Sequence, residues 1–213
     1  TELCKLPRAM EPLVEGGPYA PFHFTILACS FLLREVEAAN ALTNAWLFDH
    51  VAKEITWTLP SGETDHLALG ANRTWGCLCD IPEMGCPYHL ALEHWEWFKA
   101  SQFMKPGVVS PFFPATGGKA ANKPAVVATF EALGSLLGQP LFSATGIRSF
   151  GGHSARVTGA QALAAAGVEI NKIRILARHS GEAILRYVAD ASLKSLRADL
   201  GILTARSVPG TPA

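Results

Sequence analysis

The sequence predicts a mainly helical α+β domain with one small three-stranded antiparallel sheet near its N-terminal part. Three observations carry that prediction. Most of the chain shows apolar residues at helical spacing, punctuated by helix caps and stops. Two adjacent short segments, 45–51 and 54–59, instead alternate apolar and polar residues around Trp46, Phe48, Ile55, Trp57 and Leu59. Apolar side chains make up 49% of the 213 residues against 17% charged, enough to bury a core and to exclude a disordered chain.

Taken in order, residues 1–21 are rich in Pro, Gly and charge and read as a tail or the end of a linker. A buried helix is expected over 22–41. The two strands follow, then a Pro-Ser-Gly-Glu turn at 60–63 and a third strand around 66–69. A Cys-, Gly- and Pro-containing loop covers 77–89, and a helix with Trp95 and Phe98 on its core side covers 88–103. After a Pro- and Gly-rich connection, Asn122 caps a helix with Pro124 in its first turn and Gly138 at its end. A loop spans 139–152. Helices are then expected over 153–166, closed by Gly167, over 169–178 and over 181–190. One folded domain, 22–206, is expected with a flexible tail at 207–213.

No apolar run approaches the roughly 20 residues a membrane-spanning helix needs. The longest, 22–33, is interrupted by His23, Thr25 and Ser30. No basic-then-apolar leader is present at the start, and an intracellular location is expected. Net charge is zero, but its distribution is uneven. From Arg148 onward nine cations face four anions, a local surplus of five that suits contact with a phosphate backbone. Alternating charge on a solvated face is the plainer account of the same residues.

Chemistry concentrates in Arg34, the pair His153 and Arg156, His179 and Tyr187. Together these residue types can handle a phosphodiester. Phosphoryl transfer depends on positioning and on stabilising negative charge spread over oxygens, and a guanidinium grips two oxygens at once. His153 and Arg156 are three apart and share a helix face. A tyrosine hydroxyl, with a pKa of about 10, attacks only when its proton is removed or its phenolate is stabilised, which neighbouring cations and imidazoles provide.

Three segments carry a resemblance. Gly152-His153-Ser154-Ala155-Arg156-Val157-Thr158-Gly159-Ala160 resembles the His-x-x-Arg box of tyrosine recombinases and integrases. Ala177-Arg178-His179, followed by Leu185-Arg186-Tyr187-Val188, is similar to that family's later histidine and tyrosine helix. Leu33-Arg34-Glu35-Val36-Glu37 is similar to its first-arginine box, where a Glu commonly stands three residues after the Arg. The resemblance is closest to recombinases of crypton-type eukaryotic mobile elements, which implies a nuclear location. It implies that Tyr187 attacks the scissile phosphate to give a 3′-phosphotyrosyl bond, that Arg34 and Arg156 hold the non-bridging oxygens, that His153 moves the tyrosine proton and that His179 donates to the phosphate. It further implies double-stranded DNA as partner, self-association on DNA, strand cleavage and rejoining in recombination or integration, and no cofactor for the chemistry. The sequence departs from the family at one position. Glu63 stands where a lysine protonates the leaving oxygen, with Lys53 as a substitute in the preceding turn. A carboxylate there repels phosphate and weakens acid catalysis, a step worth about 10²–10⁴-fold. The alternative is a catalytically inactive DNA-binding or interaction module of the same fold.

Five cysteines are an odd number for disulfides, and three of them cluster. Cys77, Cys79, Cys86 and His89 form a candidate structural zinc set, although C-x-C-x6-C-x2-H is not a common finger spacing. Three reduced cysteines packed as small apolar residues are the plainer account.

Overall fold

A pair of tryptophans explains where the sheet sits. In the computed structural model, which describes residues 2–59, 71–80, 85–178, 184–186 and 188, strands β1 (Trp46–Asp49), β2 (Glu54–Leu59) and β3 (Ala71–Gly76) form one antiparallel sheet in the order β1-β2-β3. Trp46 and Trp57 lie directly opposite in the β1–β2 register, with ring centroids 4.2 Å apart. Alternation then turns Ile55, Trp57 and Leu59 inward, all buried. On the outward face Thr56 meets Thr74 at 2.7 Å and Thr58 donates to Asn72 at 2.9 Å, so the polar half of the pattern is cross-strand paired. The third strand lies at Ala71–Gly76, later than the expected 66–69, a segment that falls outside the described residues together with the 60–63 turn. Thr74 and Trp75 are the β-prone residues that take the pairing.

Helix α1 (Pro21–Ser30) is buried on nearly every side, as its apolar run predicts. Expected as one helix over 22–41, this stretch is two. The first ends near Ser30 and a short helix α2 (Glu35–Ala39) follows. Helix α3 (Pro87–Ala100) starts on Pro87 and lays Tyr88, Ala91, His94 and Phe98 inward. Helix α4 (Lys123–Leu136) has the predicted cap, with Asn122 Oδ1 accepting the Ala125 N–H at 2.9 Å, and Gly138 beyond it takes φ +67°. Phe24, Phe31, Trp46, Trp57, Phe112 and Phe113 form the aromatic centre that these elements share. Trp95 and His94 belong to this packing, Trp95 stacking near Phe98 and Phe112.

The stretch before α1 makes defined contacts. Leu3 and Leu6 pack against Phe22, Ile26 and Leu133, and the Tyr19 N–H donates to Pro114 O at 3.0 Å. In the 139–152 loop Phe150 covers Gly134 of α4 so closely that a Cβ there would clash with its ring. That contact helps fix the approach to helix α5 (Ser154–Ala165), closed by Gly167 at φ +81°. Helix α6 (Ile170–Leu176) follows. The chain divides into two compact units, Thr1–Arg156 and Val157–Ala213, with the division falling inside α5. Among the described residues no helix is long and apolar enough to cross a membrane.

Candidate active site

The break after α1 is what presents Arg34. Leu33 N–H reaches Ala28 O at 2.9 Å and Leu32 N–H reaches Cys29 O at 3.1 Å, the paired bonds of a Schellman stop. The residue in the left-handed position is Leu32, at φ +53°, where glycine is usual. That conformation costs a leucine about 1–2 kcal/mol. Burial of its side chain and one further bond offset the cost, since Leu32 is 1% exposed and its carbonyl accepts from Arg156 Nε at 2.8 Å. The turn therefore ends α1, sets Arg34 at the N-cap of α2 and docks Arg156.

Glu37 joins the two arginines. Its Oε2 accepts the Arg34 backbone N–H at 2.8 Å, reaching back as a first-turn glutamate does. The same oxygen accepts from Arg156 Nη2 at 2.6 Å, while Oε1 lies 3.4 Å from Arg34 Nη2. Arg156 and Glu37 are both 5% exposed, so this short bond is a buried, charge-assisted pair. Arg34 is more open than Arg156. Two guanidiniums from distant parts of the sequence thus stand on one carboxylate.

A second carboxylate flanks them. Glu35 is buried, its backbone N–H donates to Gly152 O at 3.0 Å, and its Oε1 lies 3.2 Å from Lys123 Nζ at the start of α4. Its Oε2 carries no hydrogen bond among the described residues. Gly152 leaves room for this carboxylate, because a Cβ at that position would collide with it. Gly152→Ala is expected to displace the Glu35 side chain and lower stability by about 1–3 kcal/mol, the usual range for an overpacked site. Urea denaturation measures the loss, and an unchanged midpoint would show that the space is not needed.

His153, the residue after Gly152, is exposed to solvent. Its pKa is pushed below the usual imidazole value, first by partial burial and then by Arg156, with Arg34 and Lys123 adding to the effect and Glu35 opposing it. The ring is therefore neutral near pH 7 and able to accept a proton. Glu35 ties this residue to the arginines and to Lys123, since it bonds the Gly152 carbonyl just before His153, pairs with Lys123 and directly follows Arg34.

Of the sequence-predicted residues, Arg34, His153 and Arg156 come together, and Glu37 takes the position expected three residues after Arg34. His179, Tyr187 and Glu63 lie outside the described residues. Lys53 sits at φ +53° in the β1–β2 turn, where its charge acts on Cys77. Lys123 is the ammonium group whose charge reaches His153. Sequence reasoning missed Lys123, Glu35 and the Leu32 carbonyl. Gly152, directly before the His-x-x-Arg segment, is the local signal that could have pointed to a close approach. Cys77, Cys79, Cys86 and His89 also converge, away from the arginines in sequence and on different elements.

Similar three-dimensional folds decide the architecture. A XerH site-specific recombinase bound to a palindromic difH substrate in a post-cleavage complex superposes with a TM-score of 0.59 at 13% identity, over 84% of this chain and 44% of that one. The same recombinase in a pre-cleavage complex gives 0.54 at 14% identity, over 79% and 42%. The Tn1549 transposon integrase, residues 82–397 with circular intermediate DNA, gives 0.53 at 17% identity, over 85% and 59%. The chain has the fold of these recombinases and integrases. It spans roughly half the length of the structures it matches. No protein-family model and no curated protein matches the sequence.

Proposed function

We propose that this chain is the catalytic domain of a DNA tyrosine recombinase, one that cuts and rejoins strands through a 3′-phosphotyrosyl intermediate. The observation that carries the reading is the placement of Arg34 and Arg156 side by side on Glu37, with the neutral, exposed imidazole of His153 beside them. Such a group of donors suits a phosphate whose oxygens gain charge as the reaction proceeds. In the proposed step the Tyr187 oxygen attacks the scissile phosphorus and its proton passes to His153. The phosphorus–oxygen bond to the 5′ carbon breaks, and the leaving oxygen takes a proton from Lys123, the ammonium of the cluster. Arg34, Arg156 and His179 hold the phosphoryl oxygens. The new phosphotyrosyl bond conserves the energy for rejoining, so the chemistry needs no cofactor. Double-stranded DNA, self-association on it, a mobile-element origin of crypton type and a nuclear site of action all belong to this proposal. The fold neighbours that were crystallised with DNA support the DNA partner.

Glu63 favours a second reading, a DNA-binding module that no longer cleaves, because an anion at the family's lysine position repels phosphate. A nicked duplex that traps cleavage products separates the two. The first reading expects a covalent protein–DNA band that Tyr187→Phe abolishes and Glu63→Lys strengthens by about 10-fold or more. Salt-sensitive binding with no band from either the natural chain or Glu63→Lys is the outcome that favours the second.

A further inference from the structure

We infer that Cys77, Cys79, Cys86 and His89 hold a structural zinc ion that clamps the end of the sheet to the start of α3. The two halves of the site come from different elements. Cys77 and Cys79 follow directly on β3, which ends at Gly76. Cys86 is the N-cap residue of α3, and His89 lies in that helix's first turn.

The side chains converge on one point. His89 Nδ1 lies 3.6 Å from Cys77 Sγ, 3.1 Å from Cys79 Sγ and 3.3 Å from Cys86 Sγ, and the Cys77 and Cys86 sulfurs are 3.8 Å apart. All four candidate ligand atoms fall within 4.8 Å of one another. Zinc bonds of ~2.3 Å to sulfur and ~2.0 Å to nitrogen, at tetrahedral angles, place ligands about 3.5 Å apart for S and N and about 3.8 Å for two sulfurs. The three sulfur–nitrogen distances and the Cys77–Cys86 distance, 3.1–3.8 Å, lie close to those values. A second feature points the same way, since the Leu78 N–H donates to Cys86 Sγ at 3.2 Å. Backbone donors of this kind steady the charge of a metal-bound thiolate.

The competing accounts fit less well. Cysteines packed as apolar fillers would be buried, yet Cys79 and His89 are exposed while their sulfur and nitrogen point inward to the cluster. A Cys77–Cys86 disulfide needs sulfurs ~2.05 Å apart and leaves Cys79 and His89 without a reason to join. The donor set also selects the ion. Three thiolates and one imidazole suit borderline-soft zinc, whereas magnesium and calcium want oxygen ligands. Four protein ligands close the coordination shell, so the ion is structural. Cys77 and Cys86 also pack against the main core, so the clamp joins sheet, loop and α3 at one corner of the first unit.

The test uses tag-free full chain purified without chelators. Metal analysis is expected to find close to one zinc per chain, and exchange with cobalt should give the intense visible bands of tetrahedral cobalt thiolate. Cys79→Ser, at an exposed ligand, should keep its far-ultraviolet helix signal and lose most of the bound zinc. Well under one zinc per chain together with no cobalt thiolate bands would overturn the inference. So would bound iron in zinc's place, or a Cys77–Cys86 disulfide found by mass spectrometry in freshly isolated protein.

Discussion

Replacing Glu37 by alanine is expected to cost about 3–5 kcal/mol of stability, because it withdraws the carboxylate from a buried ion pair. Arg156 is 5% exposed and donates to Glu37 Oε2 at 2.6 Å, so its charge has little access to water once that oxygen is gone. The same carboxylate accepts the Arg34 N–H at the start of α2, which adds the loss of a helix-start contact of about 1 kcal/mol. Glu37→Gln keeps an acceptor oxygen but removes the charge, so it is expected to lose less than Glu37→Ala yet still more than about 1 kcal/mol. Chemical denaturation of both variants reads the effect directly. A Glu37→Ala loss under about 1 kcal/mol, in the range of exposed ion pairs, would contradict a buried bridge.

Acidification is expected to unfold the protein earlier than carboxylate titration alone would. His23 and His94 are buried, and burial is the first cause that pulls each pKa down to about 3, with Arg8 lowering His23 further. Their contacts suit neutral rings. His94 Nε2–H donates to Phe112 O at 2.6 Å, which leaves His94 Nδ1 to accept from His23 Nδ1–H at 3.3 Å, and Arg8 donates to His23 Nε2. The unfolded chain, with ordinary imidazoles near 6.5, binds protons that the folded chain refuses. Stability is thus fully present above about pH 6.5 and is lost as pH falls from there towards 3. The expected loss between about pH 7 and about pH 5 is on the order of 3 kcal/mol for the two rings. The Glu11 carboxyl, raised by burial, works weakly the other way. Equilibrium unfolding at those two pH values measures the sum, and equal stabilities would show that the rings are not held neutral.

Much of this was legible from the residues alone. Strand alternation around Trp46 and Trp57 placed two strands correctly, because a period of two has no helical equivalent. The Asn122 cap and the glycines at 138 and 167 placed helix ends, because only a few residues satisfy those backbone geometries. The break after α1 was invisible, since it rests on a leucine in a conformation that leucine disfavours and on a hydrogen bond to an arginine 124 residues away. The site divides in the same way. Arg34, His153 and Arg156 were readable as a pattern of residue types, whereas Lys123 and Glu35 join them through α4 packing near α2, which leaves no local mark. The candidate zinc set was readable as three thiols and an imidazole despite an uncommon spacing, and the structure brings the four side chains together.

The proposal that Tyr187 becomes joined to DNA can be checked by trapping the chain on a nicked duplex, digesting the adduct with nuclease and protease, and sequencing the nucleotide-bearing peptide by mass spectrometry. The chain has three tyrosines, and Tyr88 and Tyr19 are engaged elsewhere, Tyr88 with His50 and Tyr19 against Phe103. A nucleotide on Tyr187 alone is the expected result. A nucleotide on Tyr88, Tyr19 or a serine would contradict it, as would the absence of any modified peptide from the natural chain and from Glu63→Lys alike.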